Sequence, residues 1–217
     1  MTGPAPDPRE AILVDFGGVM TTSVLDAFRE FGASLGHPDL PMTLFSEDEV
    51  TRTLLVDHES GRIDADVFEA GFAERLRAHG AEVEATGLSA RVQSGLRRDE
   101  ATIALIQRLR GAGVPVALVS NAFGRDCYAG FDLTELADVV VISSEVGVRK
   151  PSRRIYQIAC DELGVRPEQA VMIDDLAHNL AGAARLGIAG VLHTDAVDTE
   201  HQLAGKFGFG AALLAAG

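Results

Sequence analysis

At 217 residues and 22.9 kDa the chain is long enough for one large domain, or for a core domain carrying a smaller insertion, and a sizeable hydrophobic core is feasible. A formal net charge of -13, from 32 acidic against 19 basic residues, argues against a general nucleic-acid or anionic-membrane binder, because the mean field repels both. Two cysteines, Cys127 and Cys160, are too few for a disulfide framework and point to a reducing cytoplasm.

No segment approaches the roughly 18 to 20 apolar residues that a membrane span needs. The start of the chain, with Pro4, Pro6 and Pro8 ahead of Arg9 and Glu10, lacks the apolar run of a signal peptide. Met1 to Pro8 reads as a loose tail.

The first predicted element is Ala11 to Val14, four apolar residues without polar alternation, as in a strand buried on both faces of a parallel sheet. It ends abruptly in Asp15-Phe16-Gly17-Gly18. The carboxylate therefore sits at a strand's C-terminal end, the edge of an open α/β sheet where ligands bind. The glycines let the backbone turn tightly and approach a ligand.

Thr21, Thr22 and Ser23 offer N-caps for a helix from about Val24, in which Phe28, Phe31 and Leu35 recur at helical spacing and which Pro38 and Pro41 break. Ser46-Glu-Asp-Glu opens another helix running to about His58, with a turn at Glu59-Ser60-Gly61. Asp64 caps a third, placing Val67, Phe68, Phe72 and Leu76 on one face. Helical pattern resumes near Ser89. No convincing strand lies between Thr21 and Arg98, so the expectation is an all-helical insertion at 21–98 in a core of 9–20 and 99–217, its phenylalanines serving packing.

Beyond this point strand and helix alternate. The amphipathic stretch Ala101 to Arg110 precedes a strand at Val114 to Val119, with Pro115 tolerated near its start. Strands at Val139 to Ile142, Gln169 to Ile173 and Gly190 to His193 follow. Between them lie a helix from about Ser152 to Leu163, with Pro151 near its first position, and an Ala- and Gly-rich helix from Asn179 to Leu186. Repeated strand–helix units predict a Rossmann-like parallel sheet of about five strands with helices on both faces.

Four of these segments end in polar groups suited to one site: Asp15, Ser120 with Asn121, Lys150, and Asp174 with Asp175. Clustered carboxylates repel one another unless a divalent cation sits between them, and Mg²⁺ favours carboxylate and phosphate oxygens. A hydroxyl and an ammonium opposite that metal would hold the remaining phosphate oxygens. Asp15 could then act as nucleophile, forming an acyl phosphate that water hydrolyses. Plainer readings stand beside these: Asp15 as a turn carboxylate, Ser120 as a strand terminator, Lys150 as a solvated surface residue, Asp174 and Asp175 as helix caps. His178 and Arg125 lie near the same loops and read as solvated residues or as substitutes for a proton carrier.

The stretches DFGGV at Asp15 to Val19, VSNA at Val119 to Ala122, SSEVGVRKPSRRIY at Ser143 to Tyr156 and VMIDDLAHNLAGAARLG at Val171 to Gly187 resemble the haloacid dehalogenase-like superfamily of hydrolases, in particular members with a helical cap after the first strand. The resemblance implies Asp15 as nucleophile, Ser120, Asn121 and Lys150 as phosphate binders, and Asp15, the Gly17 carbonyl, Asp174 and Asp175 around Mg²⁺. It also implies a small phosphorylated substrate, and a loop-bracing role for Asn179.

One position departs from the family pattern. Phosphatases of the family usually carry a second Asp two residues after the nucleophile as acid and base; here that position is Gly17. General acid–base assistance is worth about 10²–10⁴-fold, so acyl or aryl phosphates, whose leaving groups are already good, fit better than alkyl ones. A catalytically silent phosphate-binding or regulatory protein is the alternative. Phosphonate cleavage is disfavoured because no cap lysine is present, and 2-haloacid dehalogenation because Asp174 and Asp175 are retained.

Overall fold

The computed structural model describes residues 9–124 and 126–215; the tail read over Met1 to Pro8, and Arg125, lie outside the described residues. Four apolar residues in a row need cover on both faces, and β1 (Ala11–Val14) has it, being fully buried at the centre of a parallel sheet. The other strands are β2 (Val116–Ser120), β3 (Val139–Ile142), β4 (Ala170–Asp174) and β5 (Ala189–Leu192), in the order β3-β2-β1-β4-β5. Pro115 falls just outside β2, where it needs no donor, and its carbonyl accepts from the Ile12 amide.

Alternate strand residues face opposite layers. Ile12, Val14, Leu118 and Ile173 pack under α6 (Glu100–Gly111), α11 (Ala196–Phe207) and α12 (Gly210–Ala215). Leu13, Ala117, Val119 and Met172 pack under α9 (Arg153–Leu163) and α10 (Ala177–Ala184). Two short helices, α7 (Leu133–Leu136) and α8 (Ser143–Val146), flank β3. Sequence periodicity did not anticipate α7, α8, α11 or α12; the first two are single turns, too short to show a period.

Five helices lie between β1 and α6: α1 (Val24–Ser34), α2 (Leu40–Glu47), α3 (Glu49–Glu59), α4 (Ala65–Ala78) and α5 (Leu88–Gln93). Ser23, Asp48 and Asp64 cap α1, α3 and α4 through their side-chain oxygens. The helix expected from Ser46 is divided, because Asp48 adopts an extended backbone to cap α3. Pro41, expected as a breaker, sits instead in the first turn of α2, where its missing N–H is harmless. Pro151, expected at a first helical position, precedes the cap Ser152.

The insertion has its own core, built on Phe28, Phe31, Phe68, Phe72 and Leu76. Phe45 meets Phe28 edge to face and stacks on Phe72, both with ring centroids 4.9 Å apart. At its neck the chain enters and leaves side by side, through an antiparallel bridge between Thr21 and Arg98 and hydrogen bonds from Thr22 N to Arg97 O and Asp99 N to Met20 O.

A second seam joins the far end of α3 to the sheet. The Gly124 amide donates to His58 Nε2 at 2.9 Å, and the Ser143 hydroxyl donates to the Glu59 carbonyl. Burial holds the His58 pKa below its ordinary value of 6.5, and an accepting Nε2 requires the neutral ring. The folded state therefore binds fewer protons at this ring than the unfolded chain, and stability present above about pH 6.5 is lost as the pH falls below it. We expect the melting temperature to drop on acidification through this window. His58→Phe, which keeps the stack on Phe68 and removes the titrating ring, should flatten part of that slope in thermal melts.

Candidate active site

The C-terminal ends of β1 and β4 lie side by side at the point where the strand order reverses, and loops leaving there diverge to open a crevice. Asp15 follows β1, and Asp174 ends β4. Between them lies the ammonium of Lys150, with Nζ 2.6 Å from Asp15 Oδ1 and 2.9 Å from Asp174 Oδ2. Lys150 is 1% exposed, Asp15 6% and Asp174 0%. A buried cation on two buried carboxylates is stable only when paired on both sides.

Each carboxylate is fixed differently. Asp174 is held by the Leu176 amide on Oδ1 and by the Asn179 side-chain amide on both oxygens. Asp15 receives Lys150 and the Phe16 amide, both on Oδ1. Its Oδ2 has no protein donor among the described residues. Asp175 Oδ1 is buried without a hydrogen-bond partner, while Oδ2 lies over Gly18. A Cβ at Gly18 would stand 2.2 Å from that oxygen, and the residue's φ of +80° is itself glycine territory.

One oxygen from each of Asp15, Asp174 and Asp175 lies within 4.8 Å of the others. Three carboxylates against one ammonium leave two negative charges, the charge that a divalent cation neutralises. Burial, with Asp174 and Asp175 nearby, pushes Asp15 well above the usual carboxylate range despite Lys150. Burial and Asp174 push Asp175 up to about 6. Burial works against the Lys150 ammonium, but Asp15 and Asp174 outweigh it and hold its pKa above the ordinary value. The donor set, all hard oxygen with an orphaned carboxylate atom among it, fits Mg²⁺.

Ser120 ends β2, 2% exposed. The Asn121 side chain is engaged in holding the neighbouring loop: its Oδ1 accepts from Lys150 N at 2.8 Å, and its Nδ2 donates to Lys150 O and to Glu59. Asn179, expected to brace, does so directly on Asp174.

Above the carboxylates is a cavity of about 240 Å³ with Asp15, Gly17, Lys150, Asp175, Asn179 and His178 among its lining residues. Its wall is largely apolar, with Phe28, Met42, Phe45 and Leu55 from the insertion and Phe123 from the sheet side. Phe28, expected only to pack, does both. Glu59 and Arg149 add an ion pair to that wall, with Oε2 2.6 Å from Nε. Neither was singled out from sequence, where Glu59 read as a turn residue. A carboxylate ending a helix, where the dipole disfavours it, was the available signal. The place beside Gly17 is filled by Val24, whose Cγ2 would lie 2.7 Å from an added Cβ.

A profile of the haloacid dehalogenase-like hydrolases matches residues 10–187. The chain belongs to that family. Its relatives include an (S)-2-haloacid dehalogenase 4A of Burkholderia cepacia, 33% identical over 38% of this chain and 37% of its own, and sesquiterpene phosphatase astK of Aspergillus oryzae, 26% identical over 67% of this chain and 74% of its own. A HAD family enzyme of Bacteroides thetaiotaomicron, solved with magnesium and inorganic phosphate, superposes with a TM-score of 0.62 at 22% identity, covering 86% of this chain and 94% of that one; this likeness speaks for the fold alone. For three curated relatives, mouse acyl-CoA dehydrogenase family member 10 and two haloacid dehalogenases, the matched stretch spans only 8% to 37% of their length. The relatives include phosphatases and dehalogenases alike, so the reaction and its substrate must be argued from the cavity.

Lys150→Met tests the electrostatics. Removing the ammonium strands two buried carboxylates, which should cost about 3–5 kcal/mol near pH 9, above the value of about 8 to which burial pushes Asp15. The loss should shrink near pH 6, where Asp15 is protonated with or without Lys150, as read from urea unfolding at the two pH values.

Proposed function

We propose that this protein is a Mg²⁺-dependent hydrolase of small phosphorylated molecules with Asp15 as nucleophile. The observation that carries the reading is the buried Asp15–Lys150–Asp174 bridge beside the orphaned Asp175 oxygen. In this reading Asp15, Asp174, Asp175 and the Gly17 carbonyl hold the metal, which when bound screens the phosphate's charge from the carboxylates. Asp15 Oδ2 attacks phosphorus, the ester oxygen departs, and water then cleaves the aspartyl phosphate to inorganic phosphate and free Asp15. Lys150 and Ser120 bind the phosphoryl oxygens, with Asn121 positioning the Lys150 loop.

Residues 21–98 act as the cap over a core of 9–20 and 99–217, and the cap selects the substrate. Its aromatic and aliphatic wall favours a substrate whose non-phosphate part is mainly hydrocarbon; the resemblance to a sesquiterpene phosphatase is compatible with that. The two cysteines are free, which is compatible with a reducing compartment, and no helix among the described residues is long and apolar enough to cross a membrane.

A second reading, phosphate binding without turnover, draws on Val24 filling the place beside Gly17. Haloacid dehalogenation draws on sequence similarity to two such enzymes. In assays with Mg²⁺, 4-nitrophenyl phosphate should be hydrolysed, with activity abolished by chelator and lowered at least about 10³-fold by Asp15→Asn. Tight phosphate binding without turnover favours the second reading, and chloride release from 2-chloropropionate favours the third. Turnover unaffected by Asp15→Asn refutes the nucleophile.

A further inference from the structure

The inference below rests on the phosphatase reading. That chemistry needs a proton for the leaving oxygen and a base for the attacking water, and position 17 has no side chain to supply either. The γ-methyl of Val24 lies where a side chain at that position would begin. The proton carrier must come from elsewhere on the cavity wall. Asp15, Lys150 and Asp175 are committed to the reacting phosphate and its counter-charges, and the Arg149 guanidinium is a donor with no acceptor. Glu59 and His178 remain.

His178 is exposed at the start of α10. Glu59 is enclosed, its side chain 12% exposed, and it ends α3, where the helix dipole disfavours a carboxylate. Its Oε2 is 2.6 Å from Arg149 Nε, yet that nitrogen makes no aligned hydrogen bond. The contact is therefore ionic and weakly directional. Asn121 Nδ2 ties the same oxygen to the Lys150 carbonyl, at 3.2 and 3.3 Å, which fixes the carboxyl to the loop carrying the phosphate-binding ammonium. Its Oε1 has no protein donor among the described residues.

We propose that Glu59, carried on the cap, is the catalytic proton carrier of this enzyme in place of the side chain missing at position 17. Protonated Glu59 gives its proton to the ester oxygen as the P–O bond breaks, releasing the alcohol and leaving Asp15 phosphorylated. Ionised Glu59 then takes a proton from the water whose oxygen attacks phosphorus; the Asp15–phosphorus bond breaks and Glu59 is reprotonated. Burial, opposed by Arg149 and Lys150, pushes the Glu59 carboxyl up to about 7, where both forms are populated at neutral pH. Because Glu59 rides on α3, the proton reaches the site only when the cap is docked through His58 and Ser143.

The test compares two apolar phosphates on the full chain with Mg²⁺ in single-turnover mixing: benzyl phosphate, whose alkoxide leaves poorly, and 4-nitrophenyl phosphate, whose phenolate leaves without help. Glu59→Gln should lower the benzyl-to-nitrophenyl rate ratio by about 10²–10⁴-fold, and Glu59→Asp should recover part of it. An unchanged ratio, whether both rates fall together or neither does, overturns the proposal while Asp15-dependent turnover keeps the phosphatase reading intact. Transfer of the leaving-group-selective loss to His178→Gln overturns it likewise. If the native chain hydrolyses neither substrate in an Asp15-dependent way, the proposal and the phosphatase reading fall together.

Discussion

The ammonium of Lys150 is the point on which the structure converges. Taking a cation out of water costs several kcal/mol unless partners replace the hydration, and its two partners come from strands that the chain reaches more than 150 residues apart. Satisfying that one charge fixes the loop after β1 against the end of β4. It also draws in the segment between α8 and α9, whose backbone Asn121 clamps from the end of β2. The close seat of α10 belongs to the same arrangement: a Cβ at Gly182 would come within 2.5 Å of the Pro151 carbonyl, so a larger residue there would push on the peptide next to Lys150.

Neutralising Lys150 leaves an excess of negative charge, and it lies where three carboxylate oxygens gather. A divalent cation there would neutralise the charge that burying the lysine among three carboxylates leaves over. The cap adds a different constraint. Gly17 and Val24 are complementary in size, so a methyl group from α1 lies where a side chain on the core loop would begin.

Much of this was legible in the sequence because the governing physics is local. A strand buried on both faces must be uniformly apolar, so β1, β2 and β4 announced themselves, and the polar residue that ends each marked the ligand-binding edge. N-caps were equally plain at Ser23 and Asp64, whereas those at Asp48 and Ser152 fell one or two residues from where the helices were expected to open. Lys150 stood out as one of only two lysines. What sequence could not give was contact across the seam: that Val24 would fill the space at Gly17, that Asn121 would turn to the Lys150 backbone, or that Glu59, in what read as an ordinary turn, would lie against Arg149 inside the cavity. Those relations depend on how the cap docks, which no periodicity encodes. Pro41 misled for a related reason, since proline stops a helix or opens one according to backbone context that its neighbours do not reveal.

The account stands on one metal ion gathered by Asp15, Asp174 and Asp175 beside Lys150. The direct measurement is anomalous diffraction from crystals of the full chain grown with Mn²⁺, an oxygen-seeking stand-in for Mg²⁺. The prediction is a single strong peak among these carboxylates, bonded to Asp15 and Asp175, and abolished in Asp175→Ala crystals. A site without a peak at saturating Mn²⁺, or a peak that persists in the variant, would contradict it.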